Sequence, residues 1–431
     1  MDWLAALSRE FAPDAAAPYA EVRQAALRRV GARGLPTPRE EAWKYTDLKP
    51  YDAAADAARS QAQPSPLALL ETGGPQLVFV DGVLDAARSS LSALPAGVRV
   101  RTLTQVLREE PDAIAQAMAR YTAEDAQIFA ALNAACARDG AVVELAAGAT
   151  LAQPLVVAFL NTAAATRLFT LPLVVVKAGA QSVLSLLELH YGAAGATNHS
   201  NALCDIEADT GSRVEHYRLQ AEASGAVHIG NLRLGIGRDA RVASHSLAFG
   251  GRLARLDINA ELTAPGGEVV LNGLFQAGAG QHIDHQTRID HAAPHTTSHE
   301  LYKGLAGGDG RGVFRGQVLV RKHAQKIAAR QASHNLLLSP LAEIDTKPEL
   351  EIYADDVTCA HGATVGQLDD AALFYLRSRG IAEAEARALL VFAFTQEVVE
   401  QVAFEPLRNW LAETLAGSAD VPLPERVEVA S

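Results

Sequence analysis

GAQSVLSLLELHY (179–191), GSRVEHYRLQAE (211–222), GRDARVASHSLAFGG (237–251) and GEVVLNGLFQAG (267–278) open four successive units alike. Each begins with a glycine turn and runs on as an extended apolar stretch. Gly179, Gly211, Gly237 and Gly267 stand 32, 26 and 30 residues apart, and Gly148-Ala-Thr-Leu151 adds one step 31 residues earlier. Each unit has room for two or three short strands. A near-constant period of this kind predicts a parallel β-helix, in which each coil stacks on the last. A β-sandwich is the rival, but it has no reason to repeat one turn at a fixed interval. A single coil cannot bury its own apolar face, so the ends need capping by other structure.

Working outward, helical patterns flank the repeats. Residues 17–30 carry apolar side chains at helical spacing and stop at Gly31. Pro38 then sits where a helix over residues 39–48 would begin. Trp43 in that stretch is expected to anchor it to the next domain. Residues 51–75, rich in Ala, Gln, Ser and Pro, read as a linker or loose arm. Gln76–Val83 reads as a strand with an Asp-Gly turn. Residues 112–138 return to helix. Beyond the repeats, residues 368–376 form a helix stopped at Gly380. A longer one follows over 382–404 with a broad apolar face, and a short one over 407–415 contains Trp410. The expected organisation is a helical region over 1–138, a β-helix core over 139–366 and a helical domain over 367–431. The wide apolar face of the long helix is either internal packing or a docking surface for another protein.

The chain has 431 residues, 49% hydrophobic and 20% charged, as expected of a globular protein. Its net charge of −12 argues against nucleic acid or an anionic membrane as the main partner. Cys136, Cys204 and Cys359 show no paired spacing, so no disulfide scaffold or self-contained zinc site is implied. The apolar run over 168–176 is too short to span a bilayer, and the N-terminus lacks a signal-peptide pattern. A cytoplasmic protein is expected.

Two stretches carry candidate chemistry. Cys359 and His361 lie two apart on an expected strand, hence side by side on one face. Thiolate and imidazole both bind iron, but two ligands do not close a site. On these residues alone, a packed cysteine beside a hydrogen-bonded histidine is the commoner arrangement. The second stretch, 282–299, holds His282, His285, His291, His295 and His299 with Asp284 and Asp290. His285, Asp290 and His291 could be drawn as a facial triad of a metal hydrolase. Their spacing does not turn them to one side of any single element, so hydrogen bonding that caps the coils is the alternative. No phosphate-binding P-loop and no nucleophile elbow is present. The glycine-rich Gly304–Gly312 reads as a long flexible turn. Polysaccharide-active β-helix enzymes remain a fold-level analogy, without the acid and arginine clusters they use.

Read together, PTPREEAWKYTDL (36–48), DHAAPHTTSHELYKG (290–304), RGVFRGQVLV (311–320), NLLLS (335–339), DTKPELEIYADDVTCAHGATVGQLD (345–369) and LFYLRSRGI (373–381) resemble the SufD family. SufD is the D subunit of the Suf iron–sulfur cluster assembly complex. In the related B subunit a Glu would follow the matching histidine, whereas here Gly362 does. The resemblance implies a right-handed parallel β-helix flanked by N-terminal and C-terminal helical domains. It implies a non-catalytic scaffold that pairs with SufB through the β-helix and binds the SufC ATPase through its C-terminal helical domain. His361 would then face SufB and serve as a cluster or iron ligand, with Cys359 ranked below it. A nascent iron–sulfur cluster would be shared with SufB, and none held stably by the isolated chain. A homodimer in the absence of SufB is a further expectation.

Overall fold

The computed structural model describes residues 20–48, 65–92, 94–124, 126–162 and 169–417. The linker expected over 51–75 falls mostly outside them. The chain winds into two facing sheets of ten strands, one strand of each coil in each sheet. The first sheet contains β1 (Gln76–Val80), β2 (Val83–Leu84), β5 (Thr150–Asn161), β8 (Val183–Gly192), β10 (Arg213–Ala221), β12 (Arg241–Ala248), β14 (Glu268–Ala277), β16 (Thr297–Ala306), β18 (Ile327–Leu337) and β20 (Val357–Gln367). The second contains β3 (Val98–Thr102), β4 (Gly140–Leu145), β6 (Phe169–Thr170), β7 (Leu173–Ala178), β9 (His199–Ala208), β11 (Val227–Ile236), β13 (Leu253–Leu262), β15 (His282–His291), β17 (Arg311–Val320) and β19 (Glu343–Ile352). From β5 and β7 onward every neighbouring pair is parallel. The β-helix expected from the repeats is therefore present, with two strands per coil. Both sheets also draw strands from before residue 139: β1 pairs with β5, and β3 with β4.

The repeat has a sharper physical basis than the glycines alone. At one corner of each coil a residue adopts positive φ: Gly148, Gln181, Gly211, Asp239, Gly266, His295 and Lys326 in turn. The N–H of each donates to a carbonyl in the next coil's turn, as Gln181 does to Thr210 O (2.8 Å) and His295 to Gln325 O (2.9 Å). Only three of these seven positions are glycine, so the sequence shows the period intermittently. Gly179 and Gly237 lie two residues earlier and are small for another reason. A Cβ there would come within 2.5 Å of Leu145 O and 2.9 Å of Ala208 O. The Gly304–Gly312 stretch is no long flexible turn: four residues join β16 to β17. Its flanking glycines are required because Phe275 lies against both Gly304 and Gly312.

Inward-facing Val, Leu, Ile and Phe fill the space between the sheets. The outer faces are covered by helices. Outside the second sheet lie α1 (Ala20–Arg33), α2 (Leu103–Glu109), α3 (Pro111–Ala119) and α4 (Ile128–Cys136). The single helix expected over 112–138 is thus two, separated by a 3-10 turn at Arg120–Thr122. The stretch 39–48 is likewise not a helix but one 3-10 turn, Glu41–Trp43. Its side chains are pinned individually to the sheet, and this outweighs a weak local propensity.

Outside the first sheet lie α6 (Glu383–Val399) and α7 (Glu405–Gly417), preceded by α5 (Asp370–Ser378). Val391, Val398, Val402, Leu407, Trp410 and Leu411 pack on the sheet's outer residues, with Trp410 edge-on to Phe249 at 5.5 Å. Most of the broad apolar face is therefore internal. By contrast α5 buries no residue, and Phe374 and Tyr375 are 73% and 57% exposed. No helix among the described residues is long and apolar enough to cross a membrane.

Candidate functional site

The solenoid ends in an open rim. β19 and β20 each pair with a strand on one side only, so their other edges keep free N–H and C=O groups. Cys359 lies in register over Ala329, and His361 over Gln331. The two side chains share a face, as the two-residue spacing predicts. Their surroundings differ: Cys359 packs in part against the inter-sheet core, while His361 is exposed because no further coil covers it. Partial burial raises the Cys359 thiol above its ordinary range, which favours the protonated, non-ligating form. Ile352, Tyr353 and Val365 expose apolar surface along the same rim. Gly362 and Gly366 face open space, so the outer surface of β20 is smooth and unobstructed.

The 36–48 segment reaches this rim from the other end of the sequence. Trp43 stacks on the guanidinium of Arg255 at 3.8 Å, and its ring lies 5.6 Å from Phe129. Trp43 thus anchors the segment as expected. Arg255 is fully buried and holds Asp257 through two bonds (2.7 and 2.8 Å) and Asp284 through one (2.6 Å). Thr46 adds hydrogen bonds to Asp284 and to His282. Glu41 pairs with Lys347 on the last strand of the second sheet.

The histidines of 282–299 do not converge. His285 and His291 face the interior, where burial pushes both down to about 4. His291 is committed to Thr296 and Ser298. Asp290, on the opposite face of the same strand, is clamped by Arg321. His295 occupies a turn, and His299 is exposed. The facial triad drawn from His285, Asp290 and His291 is therefore not formed, because strand alternation separates the carboxylate from both imidazoles.

Sequence reading missed a different cluster. Cys204, Glu188 and His216 bring their ligand atoms within 4.8 Å of one another between the sheets. The signal was visible as polar residues within otherwise apolar strands, ELHY and EHYR. Each group is already engaged. His216 bridges Glu188 (2.8 Å) and Ser244 (2.9 Å), and Arg218 lies 3.9 Å from Glu188. Burial raises the Cys204 thiol well above its usual range. Burial also works against the Glu188 carboxylate, but His190, His216 and Arg218 outweigh it and hold it well below its usual range. This chemistry fits a hydrogen-bonded knot better than a metal site.

Comparison with known proteins identifies the family. Residues 159–394 match the SUF system FeS cluster assembly, SufBD core domain, and residues 8–157 match the SufBD protein N-terminal region. An iron–sulfur cluster assembly SufBD family protein of Synechocystis is 30% identical over 91% of this chain and 90% of its own length. The iron–sulfur cluster assembly protein SufD of Escherichia coli is 31% identical over 87% of each chain. With a two-sheet solenoid, a C-terminal helical pair and these matches across nearly its whole length, the chain belongs to the SufBD family of iron–sulfur cluster assembly proteins.

Proposed function

We propose that this chain is a non-enzymatic scaffold subunit on which an iron–sulfur cluster is built between two β-helices. The observation that carries this reading is the exposed imidazole of His361 on an unpaired edge strand, with apolar Ile352, Tyr353 and Val365 beside it. A solenoid of the same family, SufB, would dock edge to edge there and complete the coordination sphere. The cluster is cargo, built across the junction and passed on. His361 is the ligand this chain contributes. Cys359 is a lesser contributor because its thiol is partly packed and held protonated. The ATPase SufC would dock on the C-terminal helical domain through α5, whose Phe374 and Tyr375 are largely exposed.

The test is His361→Ala in the full complex. Because the side chain makes no contact the fold needs, subunit pairing by gel filtration should be unchanged. Acid-labile sulfide and iron retained after anaerobic expression should fall at least tenfold, as for loss of a metal ligand. Wild-type iron and sulfide content in the variant would refute the assignment.

A further inference from the structure

In-register residues on the inner face of the first sheet form a column: His216, Ser244, Leu271, Glu300, Gln331 and, at the rim, His361. Its last three members are polar. Glu300 and Gln331 are 1% and 3% exposed, between the two sheets. Gln331 Nε2 donates to Glu300 Oε2 at 2.6 Å, one coil inward. The oxygen and nitrogen of an amide project from opposite sides of its carbon. Committing Nε2 to Glu300 therefore turns Oε1 away from it, and the in-register side chain on the next coil outward is His361. Gln331 Oε1 is buried and has no hydrogen-bond partner, a costly state for a carbonyl oxygen.

Two further facts fit a built arrangement. The opposing sheet has glycine at this level: a Cβ on Gly316 would lie 2.1 Å from Gln331 Nε2, so glycine clears the volume the amide occupies. Two nearby donors, the Asn335 amide and the Thr346 hydroxyl, are committed elsewhere. Asn335 donates to Ser333 and to Thr364 O at 3.0 Å each, and Thr346 to Ser333 at 3.1 Å.

We propose that Gln331 is a positioning residue for His361: its Oε1, unpartnered in this structure, is the acceptor onto which the ring N–H of the exposed imidazole turns, and Glu300 holds the amide in the orientation that leaves Oε1 free for it. An imidazole whose one nitrogen is tied down as a donor presents the other nitrogen's lone pair in a fixed direction, here outward across the rim. Histidines that ligate metals are held in this way by acceptors behind them. The proposal rests on His361 being the ligand this chain offers, but its test does not.

The full-length chain, labelled with 15N-histidine, is studied at pH 8 by long-range proton–nitrogen correlation, with the His361 signals assigned by their loss in His361→Ala. One neutral tautomer should dominate in the wild type. Gln331→Leu should shift the tautomer ratio by about tenfold, the effect of one lost hydrogen bond. Glu300→Gln should also shift the ratio in the same direction, because a second amide no longer dictates which way Gln331 faces. It keeps the interior volume and supplies the answer if Gln331→Leu folds poorly. Gln331→Asn, which shortens the reach, should not restore the wild-type ratio. An unchanged tautomer ratio in Glu300→Gln, or in folded Gln331→Leu, would overturn the proposal. If the ratio shifts as described while His361→Ala still accumulates iron and sulfide, the positioning stands and the ligand assignment falls.

Discussion

Glu300 shows what it costs to place a carboxyl between the sheets. Burial pushes it up to about 7, against the pull of the Gln331 amide. Tyr302 shares the site, and burial outweighs the hydrogen bonds that favour the carboxylate. Its unfolded value is near 4.5. The folded chain therefore retains a proton that the unfolded chain releases between these limits. The group favours folding below about pH 4.5, and that advantage is lost as pH rises to about 7. The loss is on the order of 3 kcal/mol for a shift of this size. Urea unfolding should show Glu300→Gln gaining stability over wild type at pH 8 but not at pH 4.5. Equal differences at both pH values would contradict the account. Arg255 makes the opposite case. Arg255→Met strands Asp257 and Asp284, both buried, and should cost about 3–5 kcal/mol in the same assay.

Among the elements, the turn column and the 36–48 segment matter most. Gly148 has φ +73 with nothing near its Cβ position, while Gly362 has neither positive φ nor a neighbour. Gly148→Ala should therefore lose about 1 kcal/mol for backbone conformation alone. Gly362→Ala should be neutral in the isolated chain, and equal melting shifts would refute the distinction. Trp43 joins α4, Arg255 and the last coils into one packed unit. Trp43→Ala should cost roughly 3 kcal/mol and open residues 36–48 to limited proteolysis. The helix expected at 39–48 was misread for the same reason. Its residues are chosen for what they touch on the sheet, and local periodicity does not record that. The positive-φ turns were half legible because Gln181, Asp239, His295 and Lys326 occupy them without the glycine that would announce them.

At the scale of the molecule, helices cover the outer faces of both sheets, while the C-terminal rim and α5 stay uncovered. Large apolar groups at such places call for partners. Phe374→Glu should leave the melting temperature of the chain within about 1 °C, since the side chain buries nothing. It should abolish co-purification with the ATPase, and retained binding would move the docking site away from α5. Gly362→Trp extends the logic to the rim: the chain alone should fold normally, and pairing with SufB should fail.

The sequence by itself determined the solenoid and its helical flanks, because stacking identical coils forces a period onto the chain. It also placed Cys359 and His361 on one face, because strand alternation is local. It could not say that Cys359 would be half packed and His361 bare, or that the histidines of 282–299 would point to opposite sides of a strand. Nor could it say that Gln331 and Glu300 would line up behind the rim. Those outcomes depend on which coil is last and which residues come into register about thirty positions apart, and only the stacked structure fixes both.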